Sequence, residues 1–165
     1  MTLPVAVAGL ALGSAAAPSA TAAVEPAGKA PRSSGLTGQE KKNEKSAIAV
    51  LDVAFNKKDP KRATEKYISA KTYIQHNPDF ADGRDAFVAA VTSYVKKNPD
   101  SSSKVVRTVT QGDLVLVHGL SKANKKDRGT VAADIFRFDN KGKIVEHWDV
   151  LQPVAKTSKN GNPQV

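Results

Sequence analysis

The second half of the chain contains four segments rich in β-branched and aromatic residues, and turn-forming residues separate each segment from the next. The first half instead places apolar residues at helical spacing. A run of helices followed by a run of strands indicates an α+β fold, in which three helices pack on one face of an antiparallel sheet. The predicted strands are residues 103–111, 112–121, 129–139 and 142–152.

Three helices are predicted ahead of these strands. In residues 40–59, Ile48, Leu51 and Phe55 recur at intervals of three and four, which is typical of an amphipathic helix. A second helix is predicted to begin at Pro60, with the preceding aspartate as its N-cap. The third occupies much of residues 82–100. Between the second and third helices lies a short β-like segment, residues 71–79.

The two ends of the chain differ in composition from this domain, which we place at residues 40–154. Residues 1–39 are rich in alanine, glycine, proline and serine, and their apolar run at 5–12 is typical of a secretory signal. A small-x-small cleavage site lies near Ala22. We therefore expect a secreted or cell-envelope protein, with a disordered leader on a cytoplasmic protein as the alternative. Residues 155–165 are a polar tail.

The charge and cysteine content limit the possible partners and chemistry. The net charge of +9 comes from residue 41 onward, because the positive and negative charges before it cancel. The lysines are scattered and no aromatic residues alternate with them, so we expect a solvated basic surface that binds neither nucleic acid nor, once the leader is removed, membrane. The chain has no cysteine, which excludes disulfides and thiolate catalysis.

The last predicted hairpin places an acid and an imidazole close together. The sequence Asp-Asn-Lys-Gly at 139–142 is a strong turn signal. A two- or four-residue connection pairs Phe136 with Val145 and Asp134 with His147, whereas a three-residue loop would shift this register. Side chains alternate along a strand, so Asp134, His147 and Asp149 share one face, and Ile144 lies on the other face with Trp148.

This pair admits two interpretations. It is either a cross-strand ion pair at the rim of a sheet or an acid–base pair inside a cavity. The neighbours of Asp134 are apolar, and a carboxyl group in apolar surroundings has a raised pKa, as a general base near neutral pH requires. His118 is a further ionisable group inside an apolar strand, with leucines as its face-mates.

Three segments carry a resemblance to a known family. "YIQHNPDFADGRDAF", "GDLVLVHG" and "ADIFRFDNKGKIVEHWDVLQP" occur in this order. In this combination the chain resembles the SnoaL-like branch of the nuclear transport factor 2-like superfamily over nearly the whole domain. The resemblance implies a cone-shaped α+β barrel around an apolar pocket, and a homodimer. It also implies a cyclase of the aldol-condensation type or an isomerase, with no cofactor.

The resemblance also implies roles for individual residues. Asp134 matches the strand aspartate that acts as acid and base on a small apolar carbonyl compound, and His118 and His147 would hold the carbonyl oxygen or tune the aspartate. The expected substrate-binding residues are Tyr73 and His76 at the pocket mouth and Phe87, Phe136 and Trp148 in its wall. Alternatively, Tyr73 and Trp148 are packing residues and His76 caps a turn.

Other chemistries find little support in the sequence. The three histidines show no HxH or HExxH spacing, so we expect no metal site. No serine lies in a GxSxG motif. Three functions remain open: a cofactor-independent acid/base enzyme, a non-catalytic small-molecule-binding protein, and an interaction domain that dimerises through its sheet.

Overall fold

The structure is a computed structural model, and it describes residues 35–165. The predicted signal-like run at 5–12 and the cleavage site near Ala22 lie outside the described residues. Among residues 35–165, no helix combines the length and the apolar character that a membrane crossing requires.

The three predicted helices are present. α1 (Gly38–Leu51) begins at a capping box, in which the Thr37 and Glu40 side chains each accept a hydrogen bond from the other's backbone N–H. The chain continues as a π-helical turn, Asp52–Asn56. α2 (Pro60–Tyr67) begins as expected, with the Asp59 carboxylate accepting from the Arg62 N–H at 3.0 Å. α3 spans Arg84–Lys97.

Five strands form one curved sheet that does not close into a barrel. They are β1 (Ile74–Gln75), β2 (Ser102–Gln111), β3 (Leu114–Lys122), β4 (Thr130–Phe138) and β5 (Ile144–Pro153). Their order across the sheet is β1-β5-β4-β3-β2. The pairs from β2 to β5 are antiparallel, whereas β1 runs parallel to β5. The predicted α+β class is therefore confirmed, and β1 adds a short edge strand.

The helices cover one face of the sheet, which we call the inner face. Its core residues Val115, Val117, Phe136 and Phe138 are buried, together with Ala47 and other apolar residues of the helices. Ile48, predicted to lie on the apolar stripe of α1, is instead 37% exposed. The buried positions beside it are the smaller residues Ala47, Val50 and Ala54.

The predicted register of the β4–β5 hairpin was wrong by two residues. Phe136 pairs with His147, and Asp134 pairs with Asp149. One residue of the shift arises at the turn, where Gly142 has φ 76° and the Asp139 N–H bonds to the Lys143 carbonyl, leaving three residues in the loop. The other arises from a bulge in β5, between the pairs that involve Ile144 and Glu146.

Two single-residue shifts cancel in their effect on the faces of the sheet, because side chains alternate with a period of two. Asp134, His147 and Asp149 therefore share the inner face, as predicted. Ile144 lies between the two shifts and so changes sides. It was expected beside Trp148, but it is buried, with 1% exposure, at the base of the pocket described below.

Candidate functional site

A two-compartment pocket lies between the helices and the inner face of the sheet. The more enclosed compartment, the inner chamber, has a volume of about 80 Å³, and the more open outer chamber has about 290 Å³. The outer chamber alone approaches the lower end of the roughly 300–1,000 Å³ range of small-molecule sites. Five residues line both compartments and so mark the junction: Leu51, Phe55, Phe80, Asp134 and Asp149.

The predicted acid and imidazole meet beside this junction. The His147 Nε2 lies 3.2 Å from the Asp134 Oδ1, although the two residues are diagonal rather than opposite partners. Both side chains are largely buried, with exposures of 10% for His147 and 15% for Asp134. The Phe136 ring stacks on the imidazole with ring centroids 4.8 Å apart. Apolar packing thus holds the imidazole in place against the carboxylate.

Gln75 fixes the tautomer of His147. The backbone N–H of Asn77 donates to the Gln75 Oε1 at 3.0 Å, so this side-chain atom is the oxygen. The His147 Nδ1 lies 2.9 Å from the same oxygen, which can only accept, so Nδ1 carries a proton. One further proton, on His147 Nε2 or on the carboxyl, completes the hydrogen bond to Asp134. The pair therefore holds one transferable proton.

A second carboxylate faces the first. Asp149 pairs directly with Asp134 across the two strands, and its Oδ2 accepts a hydrogen bond from the Asn77 Nδ2 at 2.7 Å. Like charges placed directly opposite each other repel, which favours a shared proton or a cation between them. The imidazole of His147 lies beside both carboxylates, with one ligand atom of each residue within 4.8 Å of the others.

The phenol of Tyr73 completes the inner chamber. Tyr73 is 4% exposed, and its ring packs edge-on against Phe87 with centroids 6.0 Å apart. Its hydroxyl accepts a hydrogen bond from the Gln75 Nε2 at 3.3 Å. Burial, followed by the nearby charges of Asp134 and Asp149, raises the pKa of the Tyr73 phenol well above its ordinary value, so the hydroxyl keeps its proton.

The same groups have metal-ligand geometry. One ligand atom each from Asp134, His147 and Asp149 lies within 4.8 Å of the other two. The hydrogen bonds of the His147 Nδ1 and of Asp149 resemble the outer contacts that orient metal ligands. This arrangement contrasts with the expectation of no metal site, which considered only the spacing of the histidines. The group contains one histidine and two aspartates, and strand pairing brings Asp134 beside the other two residues.

His118 does not join this site. Val117 pairs with Asp134 and is fully buried, so His118 points to the opposite, outer face of the sheet. There its Nδ1 accepts a hydrogen bond from the Arg107 guanidinium at 3.2 Å. This position corrects the expectation that His118 holds the carbonyl oxygen or tunes Asp134, because strand alternation puts the two residues on different sides.

His76 and Trp148 also lie on the outer face, which corrects their assignment to the pocket. Their rings stack with centroids 4.7 Å apart, and the Arg137 guanidinium lies over the indole. The His76 Nε2 is 2.8 Å from the Glu146 Oε1. This hydrogen bond, and then the one from the Arg137 Nε, lower the pKa of the Glu146 carboxyl. These residues fasten β1 to β5 from outside.

The remaining predicted residues line the pocket, and sequence reasoning missed their polar neighbours. Tyr73, Phe87 and Phe136 all line the inner chamber, where Tyr73 is deeply buried rather than at a mouth. Gln75 and Asn77 were not predicted. They follow Tyr73 at intervals of two. Side chains of an extended segment alternate between two sides, so this spacing could have placed both residues on the same side as Tyr73.

A larger cavity than either chamber lies elsewhere in the described part of the chain. An open groove of about 630 Å³ runs along α2 and the start of α3. It is lined mainly by exposed charged and small residues such as Lys61, Lys71 and Asp85. It contains no acid–imidazole pair, so the smaller pocket with the buried polar network is the candidate active site.

Comparison with known proteins bears on the fold. A search of curated proteins found no match. Several solved structures share the fold. A SnoaL-like protein of unknown function from Burkholderia thailandensis has TM-score 0.58 and 15% identity, covering 68% of this chain and 96% of its own. A candidate SnoaL-like polyketide cyclase from a Jannaschia species has TM-score 0.60 and 14% identity, covering 71% of this chain and 90% of its own.

A third structure is a candidate isomerase of the SnoaL-like family from Agrobacterium tumefaciens. It has TM-score 0.55 and 13% identity, and the alignment covers 70% of this chain and 99% of that one. At these identities the likeness concerns the fold. The family model for the SnoaL-like domain matches residues 47–147, which is more than half of the chain and includes the end of α1, all of α2 and α3, Asp134 and His147. The chain therefore belongs to the SnoaL-like family of the nuclear transport factor 2-like superfamily.

Proposed function

We propose that this protein is an acid/base enzyme that needs no organic cofactor. It removes and returns a proton on the carbon next to the carbonyl group of a small apolar compound, in an aldol-condensation, cyclisation or isomerisation reaction. The observation that carries the proposal is the contact between Asp134 and His147 at the junction of the two chambers. Asp134 is the proposed acid and base.

The hydrogen bonds of Asp134 support this role. Its Oδ1 faces His147, whereas its Oδ2 has no hydrogen-bond partner among residues 35–165 and is available to a substrate. A general base must lie within hydrogen-bond reach of the proton that it removes, and a lining position at the junction provides that reach. The imidazole of His147 holds the carboxylate in position through its 3.2 Å contact with Oδ1. Gln75 keeps that imidazole in one tautomer throughout.

Hydrogen–deuterium exchange tests the proposal without knowledge of the natural substrate. Small ketones are incubated with the protein in D₂O, and loss of the α-proton signal is followed by NMR. We expect catalysed exchange with the wild type. The Asp134→Asn variant should lose about 10²–10⁴-fold in rate, because it removes the base, and should melt near the wild-type temperature. Asp100→Asn, an exposed change of the same kind, is the matched control.

The alternatives give different results in this assay. A non-catalytic binding protein would bind the ketones, as line broadening shows, without exchanging their protons in either form. The apolar wall of the inner chamber is the observation that favours this second candidate. Exchange that disappears on addition of EDTA would indicate that a metal ion at Asp134, His147 and Asp149 drives the reaction, and would contradict the acid/base proposal.

A further inference from the structure

The inner chamber limits what can enter it. Apart from its hydrogen-bonded polar residues, its own wall is formed by Val50, Ile68, Phe87, Phe136 and Ile144. Its volume is about 80 Å³. A dry protein cavity of about 150 Å³ holds benzene, with its six non-hydrogen atoms, so a chamber about half that size holds roughly three. Only a short group fits beyond Asp134.

The chamber offers one hydrogen-bond donor to such a group. Gln75 and His147 are hydrogen-bonded to each other, so they satisfy most of their own polar atoms. The Tyr73 hydroxyl accepts from Gln75 but donates to no acceptor among the described residues. A buried donor without an acceptor costs free energy unless a ligand supplies one. An oxygen atom within the short group would satisfy Tyr73.

The outer chamber has a different character. It is larger and more open, and hydroxyl-bearing residues contribute to its lining, among them Ser101, Ser121 and Thr130. It begins at the two carboxylates of the junction and can take a longer substituent. A substrate would therefore lie across the junction, with a small oxygen-bearing end inside and a longer end outside.

We propose that the substrate class is methyl ketones that carry an extended substituent on the reacting carbon. An acetyl group has three non-hydrogen atoms and one acceptor oxygen. The acetyl group fits the inner chamber with its oxygen at the Tyr73 hydroxyl. The reacting carbon, which is bonded to the other side of the carbonyl, then lies at Asp134, and its substituent lies in the outer chamber. This inference rests on the proposed function and adds the identity of the group that enters first.

The proton transfer balances with these groups alone. The Asp134 carboxylate takes the proton from the α-carbon, and the electron pair of the broken C–H bond forms a carbon–carbon double bond. The carbonyl π pair moves onto oxygen, giving an enolate that accepts a hydrogen bond from Tyr73. Return of a proton, or a deuteron in D₂O, to the same carbon restores the ketone.

A homologous series of ketones tests the inference. In 2-heptanone, 3-octanone and 4-nonanone the same butyl-bearing CH₂ flanks a methyl, an ethyl or a propyl ketone. With wild-type protein in D₂O, we expect exchange at this CH₂ to fall by about tenfold or more for each added methylene, because the closed end of the chamber cannot expand. Equal rates for the three ketones would overturn the substrate class while leaving the proposed function intact.

Two variants locate the short group. Ile144→Val removes one methylene from the inner wall, so the exchange rate of the ethyl ketone should rise relative to that of the methyl ketone. Ile135→Val, the same change on the outer face of the sheet, should leave that ratio unchanged. A ratio that does not respond to Ile144→Val would overturn the placement of the acetyl group.

Tyr73→Phe keeps the ring and removes the donor. We expect it to slow exchange of 2-heptanone by about 10²–10³-fold, the usual effect of losing one donor to a developing oxyanion. An unchanged rate would contradict the hydrogen bond from Tyr73 to the substrate oxygen. Exchange of no ketone at all, including cyclohexanone, would count against this inference and the proposed function together.

Discussion

Two histidines of one sheet, on the strands β5 and β3 that flank β4, have opposite environments. His147 lies against Asp134, Gln75 and Phe136 on the inner face, whereas His118 bonds Arg107 on the outer face. Residue type alone marked both as candidates. The neighbouring residues show which face each histidine is on. Val117, next to His118, is fully buried opposite Asp134, so His118 itself lies on the outer face.

Paired substitutions of these histidines test their assignment. His147→Asn should lower the rate of ketone exchange by about tenfold or more, since it removes the group that holds the shared proton. His118→Asn should stay within about twofold of the wild type, since it lies outside the pocket. Exchange rates are measured by NMR alongside melting curves. Comparable losses in the two variants would mean that the outer face participates in the chemistry.

Asn77 supplies a charge-sensitive test of the carboxylate cluster. Its side-chain N–H donates to Asp149, so Asn77→Asp replaces a donor with a third carboxylate. We expect a loss of about 1–3 kcal/mol in the free energy of unfolding at pH 7. The loss should shrink toward pH 4, where carboxyl groups begin to take up protons. Denaturant unfolding at both values checks this, and a pH-independent loss would contradict it.

The polar residues of the site follow a rule that the sequence contains. Tyr73, Gln75 and Asn77 alternate along one extended segment, so identification of Tyr73 implied the other two. His76 drew attention through its residue type, but it occupies the alternate position and faces outward. The period of two was therefore more informative here than the chemical identity of a single side chain.

At the scale of elements, the hairpin shows the limit of sequence reasoning. Alternation predicted which face carries Asp134 and His147, since the face depends only on whether the register shift is odd or even. The loop length and the bulge in β5 depend on local backbone energies that residue types encode weakly. Ile144 therefore changed faces, although the residues beyond the bulge did not.

Glu146 joins β1 to β4 and β5, because it bonds both His76 and Arg137. The hydrogen bond from His76, followed by the one from Arg137, lowers the pKa of Glu146 in the folded state. A lowered folded pKa adds stability above the unfolded value, near pH 4.5, and that stability is lost as the pH falls through the folded value.

Glu146→Gln should therefore lower Tm by roughly 2–4 °C at pH 7. The difference from the wild type should disappear in acid, because protonation of the wild-type carboxyl removes the same interactions. Melting curves from pH 7 down to pH 3 measure it. A constant gap between the two proteins across this range would show that charge is not the cause.

At the scale of the whole molecule, the outer face of the sheet carries a row of apolar side chains. Val109 pairs with Leu116, Leu116 with Ile135, and Ile135 with Trp148, so the row crosses four strands. Val109 is 63% exposed. Apolar rows of this kind mark interaction surfaces. We propose that two copies of the chain pair through this face, as the family resemblance implies.

Light scattering after size exclusion tests the pairing. The wild type should have the mass of a dimer, and Leu116→Asp should have the mass of a monomer, because a buried unpaired charge opposes association. Glu65→Lys, on α2 and so on the other side of the sheet, is an exposed charge change away from the row. A monomeric wild type, or a dimeric Leu116→Asp, would contradict the proposal.

The brevity of β1 has a consequence for the working temperature of the protein. This edge strand has two residues, yet it contains Gln75 and lies close to Asn77, which hydrogen-bond His147 and Asp149. Short edges open before a sheet does. We expect the amide hydrogens of Gln75 and His76 to exchange with solvent sooner than those of β3 and β4. Warming would then break the hydrogen bonds of Gln75 and Asn77 to the pocket residues while the rest of the fold stays intact.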